Sequence, residues 1–248
     1  MEKQDVLNLC TIEGNTIYLP GIQLERPMYL QVAKSLELIG GKWNRKIKGF
    51  VFPDNPTELL EQLKNGSQRN IKKEIQFFET PDELADRLVR YAFSLPIPIG
   101  RVLEPSAGQG AIIKSIHRYD PDIEVYYCEI NDINLKILEN YEYLIIESGR
   151  DFLELNEPEE YAIIIANPPF AKNQDIDHIY KMYECLEPNG RIVTIASTHW
   201  EHSSNKKETE FRDWLSYKNA KIIPLDAGTF KESGTNVKAN IIVINKTN

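Results

Sequence analysis

"YAIIIANPPF", residues 161 to 170, runs an unbroken series of apolar side chains into an asparagine, two prolines and a phenylalanine. An uninterrupted apolar strand belongs to a sheet covered on both faces, and the residues that follow such strands lie where open α/β sheets bind their ligands. Outward from this stretch, strands are expected near Val102-Leu103, Val125-Cys128, Leu144-Glu147, Ala162-Ala166, Ile192-Ala196, Ile222-Leu225 and Asn240-Ile244. They alternate with helical segments, the pattern of a parallel sheet with helices on both sides. The last two are joined by "DAGTFKESGTNVKA", too short for a crossover helix, so they pair antiparallel. The fold class is therefore α/β, a doubly wound, seven-stranded, mostly parallel sheet with an antiparallel last hairpin, occupying residues 71 to 248.

Upstream, Tyr29, Val32, Leu36 and Ile39 fall at helical spacing ahead of Gly40-Gly41. "KWNRKIKGFVF" predicts a hairpin, and "NPTE" predicts a helix start with Asn55 as cap and Pro56 at the first position. Residues 1 to 70 thus form a small α+β module, with "NGSQRNIKKE" as its link to the rest. Between Gly40 and Lys73 there are eight basic and three acidic residues, a local charge of plus 5 in a chain of net minus 8, which leaves minus 13 elsewhere. Such a patch can bind phosphates even on an acidic protein, with a solvated surface as the alternative reading. Trp43 and Lys46 within it are candidate nucleic-acid contacts, by stacking and by charge.

At 248 residues and 42% hydrophobic content the chain can bury one sizeable core beside that module. The charged start "MEKQDVLNLC" and the absence of any apolar run near ~20 residues predict a cytoplasmic protein without a membrane partner. Cys10, Cys128 and Cys185 are too far apart for a CxxC pair and are expected to be reduced core thiols. "HWEH" (His199, His202) and "DIDH" (Asp175, Asp177, His178) lack a matched third ligand, so no metal is expected.

Three stretches follow strands and carry acids. In "VLEPSAGQGAII", Glu104 precedes Gly108 and Gly110, which let the backbone turn tightly and approach a ligand. The third glycine of a dinucleotide loop is Ile113 here, and a carboxylate at Glu104 would repel a pyrophosphate. It suits a cation, such as the amino-acid end of S-adenosyl-L-methionine. Glu129 in "YYCEIND" stands where an acid takes ribose hydroxyls, and Asp151 in "SGRDFLEL" is offered to an adenine amino group. Further upstream, Thr80, Pro81 and Glu83 of "FFETPDELADRL" predict a capping box.

The order "FFETP", "EPSAGQG", "CEIN", "GRD", "NPPF" resembles the class I S-adenosylmethionine-dependent methyltransferases, and among them the gamma-type adenine-N6 DNA methyltransferases. The resemblance covers about Phe77 to the C-terminus and implies a Rossmann-like sheet. It implies a cofactor site at Phe78, Thr80, Pro81, Glu104, Pro105, Ala107, Gly108, Gly110, Glu129, Ile130, Asp151, Phe152 and Asn167. It also implies a catalytic element at Asn167, Pro168, Pro169 and Phe170, with Phe170 and Phe230 lining the base pocket. The chemistry accounts for those residue types. An exocyclic purine amine is a poor nucleophile because its lone pair is delocalised, and an acceptor for each N–H helps the nitrogen pyramidalise. The Asn167 side-chain oxygen and the Pro168 carbonyl are two such acceptors, aimed in advance by proline-restricted backbone. Phe170 supplies a face for a base taken out of its stack.

The expected substrate is DNA. RNA is the alternative, because related motifs occur in enzymes of ribosomal RNA and of release-factor glutamine, and a non-catalytic cofactor-binding subunit is a third reading. Family members that read a DNA sequence usually carry a large recognition domain, and no interval here is long enough for one. Recognition is left to the N-terminal module, to a loop from His199 to Lys207, or to a partner subunit that carries specificity.

Overall fold

The computed structural model describes residues 2–52, 55–64, 80–230 and 237–247. The chain divides into two compact units, Met1–Phe77 and Phe78–Asn248. In the first, β1 (Thr11–Glu13), β2 (Thr16–Tyr18), β3 (Lys42–Asn44) and β4 (Gly49–Val51) form an antiparallel sheet in the order β1-β2-β4-β3. The helix Arg26–Leu38 carries Pro27 in its first turn, where a missing N–H costs nothing. Asn55 accepts the Thr57 N–H at 3.0 Å at the start of the helix Thr57–Lys64, as its sequence predicts. Val32, Leu36, Ile17, Phe50, Leu60 and Leu63 bury together as this unit's core.

In the second unit β5 (Val102–Glu104), β6 (Val125–Cys128), β7 (Ile145–Gly149), β8 (Tyr161–Ala166), β9 (Leu186–Ser197), β10 (Lys221–Pro224) and β11 (Ala239–Asn245) make one sheet ordered β10-β11-β9-β8-β5-β6-β7. The pairs from β9 through β8, β5 and β6 to β7 are parallel, whereas β11 runs antiparallel to both β9 and β10. Along β8, Ile163 and Ile165 enter one apolar layer with Leu84, Leu88, Ile112 and Ile116, while Ile164 and Ala166 enter the other with Ile176, Ile179, Met182 and Phe211. Apolarity on both faces is what the sequence of this strand required. Each fully buried isoleucine contributes about 1.5–3 kcal/mol through its transfer from water. Cys10, Cys128 and Cys185 are buried and free, and burial pushes the Cys128 thiol up to about 12. Among the described residues no helix is long and apolar enough to cross a membrane.

β9 begins at Leu186, six positions before the expected Ile192. The intervening Pro188-Asn189-Gly190 reads as a turn, yet Leu186 pairs with Tyr161 before a register shift restores regular pairing at Ile163↔Arg191. Arg191, only 6% exposed, gives this end of the sheet its polar anchor. Its guanidinium donates to the carbonyls of Ala92 (3.0 Å), Ser94 (2.6 Å) and Pro96 (3.0 Å) and to Asn245 Oδ1 (2.8 Å). It thereby satisfies acceptors left over where the helix Asp82–Ala92 ends. Replacing Arg191 by methionine should strand those carbonyls and lower stability by roughly 3 kcal/mol. Urea denaturation checks this, and a wild-type midpoint would show that water serves these carbonyls equally well.

Candidate functional site

After β5 the chain winds toward β6 and β7, and after β8 it winds the other way toward β9. The crossovers from adjacent strands β5 and β8 therefore diverge and leave a crevice at their carboxyl ends. Glu104 closes β5, and Asn167 follows β8 directly. From β5, Pro105 and Ala107 are buried, and the Ala107 N–H donates to the Cys128 carbonyl at 3.0 Å, tying the glycine loop to β6. Gly108 (φ 55°) and Gly110 (φ 72°) are both left-handed. A Cβ on Gly110 would stand 2.7 Å from the Tyr141 ring, so glycine is required there twice over.

Glu104 is 2% exposed, and its Oε2 has no hydrogen-bond partner among the described residues. Burial holds this carboxyl well above the usual range, and the nearby Glu129 charge adds to the effect. Glu129, also buried, accepts the Gly108 N–H at 2.6 Å through Oε2 and the Asn131 N–H at 2.7 Å through Oε1. Burial raises it as well, against the lowering effect of those bonds. Two buried acids beside an open glycine loop make a dry, electronegative site suited to a cation.

Ile130 is 62% exposed beyond Glu129. Asp151 accepts the Leu153 N–H at 2.9 Å and caps the short turn Phe152–Glu154, while Phe152 is buried 5.6 Å from the His178 ring. Burial pushes His178 down to about 4, so the imidazole is neutral at ordinary pH.

Thr80 does not form the expected capping box. Pro81 is the N-cap of Asp82–Ala92 and the cap makes no side-chain bond. Thr80 Oγ1 instead accepts the Asn167 side-chain N–H at 3.0 Å, linking the segment after β8 to the start of the helix Asp82–Ala92. Pro168 is buried, Pro169 half-buried, and Phe170 stands edge-on to the buried Phe230 at 6.5 Å. Phe78 lies outside the described residues. Trp43 and Lys46 belong to the first unit.

The expected loop from His199 to Lys207 is largely helical, comprising His199–His202 and the start of Lys206–Tyr217. Together with the helix Gln174–Cys185 it holds residues that sequence reasoning did not single out for this purpose. Lys172 (φ 55°) and Asn173 (φ 60°) are successive left-handed residues that follow the Asn-Pro-Pro-Phe segment after Ala171. Neither is glycine, so each costs about 1–2 kcal/mol. Glu208, 1% exposed, accepts from Asn173 Nδ2 at 2.9 Å and Asn205 Nδ2 at 3.1 Å. Lys207 donates to the Asn173 carbonyl at 3.1 Å and to Asp177 at 2.7 Å, and Asp175 Oδ2 accepts the Ser197 N–H at 2.9 Å. The acids of this region are thus used as braces, and among the described residues no group of three or more metal-ligating side chains comes together. Glu208→Ala should release the left-handed turn, with amide exchange over residues 171–174 speeding at least tenfold. Unchanged exchange there would mean that Glu208 does not hold it.

Residues 87–220, just over half of the chain, match the family model "Methyltransferase small domain". No curated protein matches in sequence. Among solved structures, the methyltransferase subunit of a type I restriction-modification system from Streptococcus thermophilus is similar, at 14% identity and a TM-score of 0.58 over 78% of this chain and 50% of that one. A modification subunit of a putative type I restriction enzyme from Vibrio vulnificus is similar at 13% identity and 0.54, over 92% and 55%. A putative class I S-adenosylmethionine-dependent methyltransferase from Listeria monocytogenes gives 13% and 0.54, over 76% and 68%. These are likenesses of fold, and the chain spans about half the length of the two restriction-system subunits. With an Asn-Pro-Pro-Phe segment at the switch point of its sheet, this chain belongs to the methyltransferase small-domain family.

Proposed function

We propose that this protein transfers a methyl group from S-adenosyl-L-methionine to the exocyclic N6 amine of adenine in DNA. The observation that carries the reading is the pairing, across adjacent strand ends, of a buried carboxylate oxygen lacking any described partner (Glu104) with an asparagine amide held by the Thr80 hydroxyl (Asn167). The residues fit the cofactor: an ammonium would satisfy Glu104 Oε2, and Glu129 keeps lone pairs for ribose hydroxyls beside its two backbone bonds. The exposed Ile130 offers an apolar surface to a purine, and Asp151 and Phe152 sit at the end of the third strand of the series, β7.

S-adenosylmethionine supplies a methyl group on a sulfonium, electrophilic without help from a metal. Asn167 Oδ1 and the Pro168 carbonyl accept the two amine N–H groups and draw the nitrogen lone pair out of the ring. Neither is basic enough to keep a proton, which leaves to water after the N–C bond forms. Pro168 and Pro169 fix the backbone so that these acceptors need no reorganisation, and Phe170 carries the face of the flipped base. DNA as acceptor is further supported by likeness to the two restriction-system subunits, with RNA the alternative that the experiment separates.

Labelled S-adenosylmethionine should mark unmethylated plasmid DNA as N6-methyladenine in preference to unmodified ribosomal RNA. Asn167→Ala should lower turnover roughly 10²–10³-fold while cofactor affinity changes little. Label only in RNA would overturn the DNA assignment, and label in neither with the cofactor bound would overturn the catalytic one.

The raised Glu104 and Glu129 carboxyls also predict a sign. A bound cation favours the ionised form, so the bound-state pKa lies below that of the free protein. Cofactor binding should release protons and tighten as pH rises from the ordinary carboxylate range through the raised value. Calorimetry in buffers of different ionisation enthalpy reads this directly; proton uptake would contradict it.

A further inference from the structure

The N-terminal unit carries a surface that the transferase site does not use. Between Glu37 and Asp54 the chain holds Lys42, Arg45, Lys46 and Lys48 and no acid. Strands β3 and β4 pair Lys42↔Val51, Trp43↔Phe50 and Asn44↔Gly49, which leaves residues 45–48 as the tip of the hairpin. All four tip residues are exposed, including Ile47 at 42%. The tip is also held in shape. Asn44 Oδ1 accepts the Lys46 N–H at 2.9 Å, and Lys48 takes a left-handed φ of 53° that closes the turn into β4. At its base Trp43 packs edge-on against Phe50 at 5.1 Å and Tyr29 at 6.4 Å, yet keeps 39% of its surface exposed. Among the described residues Arg45, Lys46 and Lys48 form no ion pair, unlike Lys64, which is held by Glu61.

We infer that this hairpin tip is a docking element for the phosphate backbone of duplex DNA. Three uncompensated cations on one ordered turn are a concentrated positive field on a chain whose formal charge is minus 8. Phosphate groups gain from that field by releasing their condensed counterions, whereas most of the remaining surface repels them. The anchored, half-open Trp43 gives a polynucleotide what an acidic peptide cannot use as well, an apolar ring beside the cations on which a sugar or base can rest. The contact carries affinity without reading sequence. The inference rests on the DNA reading of the methyl acceptor.

The test is fluorescence anisotropy of the full chain with a short labelled DNA duplex over a series of salt concentrations. The substitution set Arg45→Glu, Lys46→Glu, Lys48→Glu should weaken binding at low salt by on the order of tenfold or more and reduce the slope of log affinity against log salt by roughly three. The corresponding glutamine set should give a smaller loss in the same direction, and both should keep the wild-type thermal midpoint because the side chains are exposed. An unchanged salt slope in the glutamate set overturns the proposal. So does binding of duplex RNA alone, or of polyglutamate as tightly as DNA. Hairpin-dependent DNA binding without any methyl transfer would count against the transferase reading alone. Methyl transfer with a salt slope indifferent to the hairpin would count against the hairpin alone.

Discussion

The reversal of strand order between β5 and β8 is the constraint from which the site follows. A parallel sheet covered on both faces has no place for polar groups along its strands, and β8 has none from Tyr161 to Ala166 except the tyrosine hydroxyl. Polar chemistry is displaced to strand ends. At most ends a crossover helix covers them, but where successive crossovers diverge the cover is missing. Glu104 and Asn167 stand at the two ends so exposed, and Thr80, just before the helix Asp82–Ala92, reaches Asn167. The polar residues gather there because the apolar ones exclude them from everywhere else.

The two ends of the same sheet treat buried charge in opposite ways. Arg191, where the regular pairing of β9 with β8 begins, is surrounded by acceptors and is satisfied by them. Glu104, at the end of β5, is as dry but has an oxygen with no described donor, and a second acid, Glu129, raises its pKa further. A desolvated carboxylate without a donor costs several kcal/mol if it stays ionised. Arg191 is a structural charge, whose whole environment folds with it. On the proposed reading, Glu104 is set up for a charge that arrives with the cofactor, and the unfavourable energy of the free site becomes part of the drive to bind it.

The strands were legible because their signal is local. Seven runs of branched residues fall within a few positions of the seven strands, and the acids beyond them could be found by looking past each run. The early start of β9 is a matter of pairing alone, since Pro188-Asn189-Gly190 stays a turn, with Asn189 left-handed, and Leu186 ahead of it pairs with Tyr161 of β8. Long-range side-chain pairing leaves no such trace. The Thr80 hydroxyl looked like a helix cap because sequence shows its near neighbours and hides Asn167, 87 positions away. Arg191 and Glu208 look like surface charges for the same reason, as their partners are brought to them only by the sheet.

That hidden layer bears on how the Asn-Pro-Pro-Phe segment stays in place. It has left the sheet ladder at Ala166 and does not join a regular helix until Gln174, so backbone hydrogen bonding alone does not define it. Prolines narrow the conformations open to it but do not choose its position. Side chains do that at both ends: Thr80 holds Asn167, while Glu208 and Lys207 hold Asn173 and Ser197 holds Asp175. Two left-handed residues in succession would not persist unless these contacts outweighed their strain. On the proposed reading, a segment pinned in this way meets its substrate already ordered, so little binding energy is lost to arranging the acceptors for the amine. The segment is held by residues outside the motif, carried by other helices and by β9.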